Sequence, residues 1–140
     1  MNKFPIDRKA LALLHELGGD EFLAEMIDRS SKNISQQLAE ARRGLLAGDV
    51  GTARLALHAV VGSAGILGAV EIMELARAGL AALHEGVHPL ERIRPNESVP
   101  GNALELLDKI ENVWAHTRTR LEKERHGFEI ENRSGGGQRG

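Results

Sequence analysis

His58 stands alone in the stretch His58-Ala59-Val60-Val61-Gly62-Ser63-Ala64-Gly65-Ile66-Leu67-Gly68-Ala69, where a helical apolar pattern surrounds one histidine and two interior glycines. The imidazole of histidine is largely neutral at pH 7 and keeps a lone pair on one ring nitrogen, so it is a nucleophile. At roughly 100° per residue, Val50, Ala53, Leu57, Val60, Val61, Ala64 and Leu67 share one face, predicted to be buried, and His58 falls on its flank. Arg54, Gly62 and Gly65 project to the same side, so no side chain stands one turn ahead of the imidazole. Each interior glycine costs a helix about 0.5–1 kcal/mol relative to alanine. Two readings of that cost stay open: access for a partner to His58, or close packing of helix on helix through the glycines.

Other signals carry less chemistry. The run from Gly62 to Gly68 has GxxGxxG spacing, no strand before it and no Lys-Ser/Thr pair after it, so it does not read as a phosphate-cradling loop. His84 and His88 have a spacing that binds metals on a helix, but Gly86 and Pro89 end the helix there. His15, His116 and His126 have no acidic or histidine companions at ligand spacing, and Asp20-Glu21 and Glu122 to Arg125 read as a helix start and a solvated helix end. No metal site and no cofactor are expected. Trp114 falls on a core position.

The elements that position His58 follow from periodicity. Ala10, Leu11, Leu13, Leu14 and Leu17 make a short amphipathic helix from Asp7, stopped by Gly18-Gly19. Asp20 is the candidate cap of a long helix with Phe22, Leu23, Met26, Ile27, Ile34, Leu38, Ala41 and Leu45 on one stripe, ending near Gly48. Asp49 opens the His58 helix, which breaks at Gly68. The next helix buries Ala69, Ile72, Met73, Ala76, Leu80 and Leu83, and stops near Gly86. The segment from Gly86 to Gly101 carries Pro89, Pro95 and Pro100 and is long for a connection within a domain, which marks a functional loop or an insertion. A last helix runs from about Ala103 to Arg125 through Leu107, Ile110, Val113, Trp114, Thr117 and Leu121. The expected fold is all-α, an up-down antiparallel four-helix bundle with a short additional N-terminal helix. Residues 1–126 form the domain, and 127–140, ending Ser134-Gly135-Gly136-Gly137-Gln138-Arg139-Gly140, read as a flexible, disordered tail.

Composition narrows the function classes. The chain has 140 residues, 41% of them hydrophobic, enough for one core and too few for two ordinary domains. Its 18 basic and 20 acidic residues are intermixed, so no basic stripe points to nucleic acid. The absence of cysteine excludes thiol catalysis and thiolate metal sites. Three phenylalanines, one tryptophan and no tyrosine leave little surface for stacking on bases. The N-terminus leads into charged residues, and no apolar run reads as a membrane span, so a cytoplasmic protein with no direct membrane insertion is expected.

These residues resemble the histidine-containing phosphotransfer (HPt) domains of bacterial phosphorelays, found in hybrid sensor kinases or as free phosphotransmitters. That family's pattern has a histidine, a glycine four positions on followed by a small residue, then Leu-Gly-Ala. Here these are His58, Gly62, Ser63, Leu67, Gly68 and Ala69, and with the Leu17 to Leu23 segment the resemblance spans about Leu11 to Leu121. It implies that His58 accepts a phosphoryl group on an exposed face and that Gly62 leaves room for it. It further implies a receiver domain of a response regulator or hybrid sensor kinase as partner, with Mg²⁺ on the partner. The chain would be a phosphocarrier with no kinase centre of its own. Two positions depart from the family: Val61 replaces a frequent lysine, and Leu80 replaces a polar residue that often faces the histidine, so the surroundings of His58 are more apolar. Arg54 on the same side is a cation able to compensate, and Arg77 and His84 are polar candidates from the next helix. Val61 and Leu80 also motivate a second reading, a docking module that binds a receiver or kinase without being phosphorylated. Phosphoryl access and partner binding are thus assigned to Arg54, Val61, Gly62, Ser63, Gly65, Arg77 and Leu80.

Overall fold

The computed structural model describes residues 6–85 and 101–139, with side chains described for 6–83 and 102–130. Among the described residues there are four helices: α1 (Arg8–Leu46), α2 (Val50–Leu67), α3 (Val70–Glu85) and α4 (Gly101–Arg139). The predicted short helix and long helix are the two limbs of α1, which bends at Gly19. That residue takes φ 78° and ψ −164°, a left-handed backbone that glycine tolerates at little cost. Asp7 caps the first limb by accepting from the Lys9 N–H at 3.0 Å. Asp20 pairs across the bend with His15, 2.7 Å from Oδ1 to Nε2.

Helix α1 packs on α2, α2 on α3, α3 on α4, and α4 back on α1. The contacts run antiparallel. Asn33 meets Ser63, and Leu57 lies beneath Gly79, while Ser35 meets Trp114 and Asp28 meets Arg125. The all-α up-down bundle with an added N-terminal limb is the fold. Its core is aliphatic, with Leu23, Ile27, Ile34, Val60, Leu67, Ile72, Leu83, Leu107, Ile110 and Leu121 all but fully buried. Thr117 is buried too and satisfies its hydroxyl by donating to the Val113 carbonyl, 2.8 Å away. Helix α2 is long and apolar enough by composition to cross a membrane, which corrects the expectation from its apolar runs. Here it is a core helix with Ala53, Leu57, Val60, Ala64 and Leu67 buried.

The turn from α1 to α2 is tight. A Cβ on Gly44 would lie 2.9 Å from the Asp49 carbonyl and 3.0 Å from the Ala53 nitrogen, so the two backbones touch there. Asp49 caps α2, accepting from the Thr52 N–H at 3.1 Å and its hydroxyl at 2.6 Å. Those hydrogen bonds hold the Asp49 carboxyl below its ordinary 3.8. A carboxyl lowered on folding adds stability above its unfolded value and loses it as pH falls through the lowered one. Asp49→Asn is therefore expected to lower the thermal midpoint at neutral pH and to flatten its decline between about pH 5 and 3, as followed by circular dichroism.

Helix α2 ends at Gly68 in the left-handed conformation, φ 68° and ψ 22°. The segment ahead of α1 straps this turn: the Asp7 N–H donates to the Gly68 carbonyl at 2.8 Å, and Ile6 pairs with Ala69. At the other seam, Arg42 of α1 bonds Asp108 and Glu111 of α4, and the Trp114 indole donates to Ser35 at 3.0 Å.

Helix α4 corrects the expectation for the tail. It continues through Gly127 to Arg139. Around Gly127 it is held by Phe128, which is buried against the first limb of α1, with the Arg8 guanidinium 4.8 Å above its ring and the His15 ring 5.5 Å away. Arg8 also pairs with Glu124 at 2.7 Å. The Pro-rich loop and His88 lie outside the described residues, as does the side chain of His84.

Candidate functional site

His58 lies in the middle of α2, exposed, on the face turned away from the core. Helix α2 touches α1 and α3 on its two sides, and α4 lies diagonally across the bundle from it. Gly62, one turn after His58, is exposed, and a Cβ built on it would meet nothing within 4 Å. At Gly65 the same Cβ would find only the Met73 sulfur at 3.8 Å, an ordinary contact. Among the described residues neither glycine is required for packing. The glycine that does serve packing in this region is Gly79 of α3, whose Cβ would come within 3.0 Å of Leu57.

The predicted residues divide into three groups. Arg54, His58, Gly62 and Gly65 form one outward stripe of α2, with Arg54 half-buried and the others exposed. Val61 and Leu80 are half-buried against the core along the seam with α3, and Arg77 stands exposed beside them. Ser63 belongs to neither group. It is buried, and its hydroxyl accepts from the Asn33 amide at 2.7 Å, so it ties α2 to α1. Its wheel position, roughly 140° from His58, accounts for this.

The sequence reading passed over Leu55 and Ile66. They are 77% and 43% exposed on α2, roughly 60° and 80° around the helix from His58. They give the exposed face an apolar flank on the side of α1, a feature of contact surfaces. The same helical wheel that placed His58 could have found them. Asn33 was also missed, because a polar residue beside the α1 stripe carries no signal until its partner helix is placed. Among the described residues no group of three His, Asp or Glu side chains is arranged to hold a metal ion.

No known family model matches the chain, and no curated protein matches it in sequence. A solved structure does match: the crystal structure of histidine-containing phosphotransfer protein B from Pseudomonas aeruginosa PAO1 superposes with a TM-score of 0.71 at 23% identity. This chain has the phosphotransfer-protein fold. The match covers 88% of this chain and 96% of that protein, so it takes in the whole bundle and not one hairpin. The exposed histidine on a bare helix face is carried by this chain's own residues.

Proposed function

We propose that this chain relays a phosphoryl group through His58 between the aspartates of receiver domains. The observation that carries the reading is an exposed, nucleophilic histidine on a helix face cleared by two glycines that packing does not require. The fold shared with a phosphotransfer protein supports it. In the accepting step the ring nitrogen lone pair of His58 attacks the phosphorus of a partner's aspartyl phosphate. An N–P bond forms while the acyl O–P bond breaks, and its electron pair returns to the aspartate carboxylate. Donation is the reverse, onto a second aspartate. Such transfers depend on positioning and charge stabilisation, so the partner supplies the Mg²⁺ and this chain a bare, accessible nucleophile. It has no kinase centre in this reading and works in the cytoplasm, where receiver domains are found.

The test is incubation with a phosphorylated receiver domain and Mg²⁺, following an acid-labile, base-stable phosphoryl group on this chain. Label is expected on the wild type and not on His58→Gln, with both proteins melting at the same temperature because the side chain is exposed. The apolar seam residues Val61 and Leu80, with Leu55 and Ile66 alongside, favour one second reading, a docking module. Binding of receivers without label would select it.

A further inference from the structure

The first limb of α1, from Arg8 to Gly18, joins the rest of its helix through one non-helical residue, Gly19. Its other ties reach distant elements. Leu11 and Leu14 are buried in the core, and the Asp7 N–H ahead of the limb donates to the Gly68 carbonyl at 2.8 Å. Arg8 pairs with Glu124 of α4 at 2.7 Å and covers the Phe128 ring.

Three features belong to the bent form alone. At φ 78° and ψ −164°, Gly19 occupies a backbone region that is essentially restricted to glycine. A Cβ on Gly18 would lie 2.3 Å from the Phe22 Cβ, whereas residues four apart in a continuous helix have Cβ atoms about 5–6 Å apart. His15 and Asp20 meet at 2.7 Å, yet residues five apart in a continuous helix point roughly 140° away from each other. A straight α1 therefore needs neither glycine and does not allow the His15 to Asp20 pair. Nothing among the described residues lies within 4 Å of a Cβ on Gly19, so an alanine there strains the bend without displacing a neighbour.

Straightened, α1 is one continuous helix whose first limb runs about 16 Å beyond the break, at 1.5 Å per residue. Leu11 and Leu14 then leave their own core, and the surface that matches them residue for residue is the bundle end of a second copy. A reciprocal exchange about a twofold axis remakes every contact of the limb and alters the hinge alone, which is what makes exchange a low-cost route to a dimer.

We propose that Gly18-Gly19 is a two-state hinge, bent in the monomer and straight in a dimer in which two copies of this chain exchange first limbs. The His15 to Asp20 pair is the latch that favours the bent state. His58 lies in the middle of α2, outside the exchanged contacts, so the exchange does not depend on phosphotransfer.

Gly19→Ala strains the bent state and favours helix in the straight one, which shifts each hinge by about 30-fold. A dimer holds two hinges, so its dissociation constant is expected to fall about 1,000-fold below that of the wild type, measured by size-exclusion chromatography with light scattering over a dilution series. Asp20→Ala removes the latch and keeps both glycines, so it reports even where the alanine hinge does not fold; its dissociation constant is expected to fall about 10-fold. Exchange itself is read by crosslinking, since the wild-type chain has no cysteine. Gly19→Ala chains carrying Arg8→Cys are unfolded and refolded together with Gly19→Ala chains carrying Glu124→Cys, then treated with a short dimaleimide. A covalent dimer is expected from the mixture and not from either chain alone. Self-association unchanged from wild type in both Gly19→Ala and Asp20→Ala would overturn the proposal, and so would failure of Gly19→Ala to fold together with unchanged self-association of Asp20→Ala. A dimer that yields no such crosslink would overturn it as well, because its copies would meet through another face.

Discussion

Replacing Gly62 with glutamine is expected to lower phosphoryl transfer from a receiver by about 100-fold, the cost of misplacing reacting groups by about an ångström, while the protein becomes no less stable. The two halves of this result come from one observation. The space beside Gly62 is empty among the described residues, so a side chain there displaces none of them and removes the penalty of an interior glycine. Gly62→Ala alone is expected to raise the unfolding free energy by about 0.5–1 kcal/mol, measured by urea titration. The same side chain fills the surface one turn from His58, where in the proposed relay a receiver closes upon the imidazole. Stability and transfer should therefore move in opposite directions, a pattern characteristic of residues kept for function. A Gly62→Gln protein that transfers at the wild-type rate would show that this turn stays uncovered during transfer.

Gly68→Ala is expected to do the reverse and to destabilise the fold by about 2–4 kcal/mol, adding the cost of a left-handed non-glycine residue to that of overpacking. A Cβ at this position would lie 2.5 Å from the Asp7 carbonyl oxygen and 3.0 Å from the Ala10 Cβ. Backbone cannot yield as a flexible side chain can, so the strap would have to lift and the Asp7 to Gly68 hydrogen bond would be lost with it. The measurement is the urea midpoint, and His58 should still accept phosphate, because its own surroundings are unchanged. An unaltered midpoint would mean that the segment ahead of α1 is not seated on the α2–α3 turn in solution.

The bundle was legible because its signals are local. The stripes from Leu23 to Leu45 and from Val50 to Leu67, the cap at Asp49 and the stops at Gly48 and Gly68 each depend on a few neighbouring residues. Distant partners were not legible. Phe128 sits among charges and glycines that resemble a linker, and what orders it is Arg8 and His15, more than a hundred residues earlier in the chain. The same holds for Gly44, whose need to be small comes from the backbone of Asp49 and Ala53. At the site, His58 and its bare stripe followed from helical angles alone. Ser63 turns to α1 and bonds Asn33, a direction its position on the helical wheel already indicated. The distinction between Gly62 and Gly79, open space against a packed contact, required three dimensions.

The lone tryptophan offers a practical consequence of this architecture. Trp114 is buried in α4 with its indole anchored to Ser35 of α1, on the helix diagonal to α2. Its emission should follow unfolding of the core and remain silent when a protein lands on the His58 face. A dye attached near His58 would respond to docking instead. The opposed effects expected at Gly62 can thus be recorded in one cuvette, each at its own wavelength.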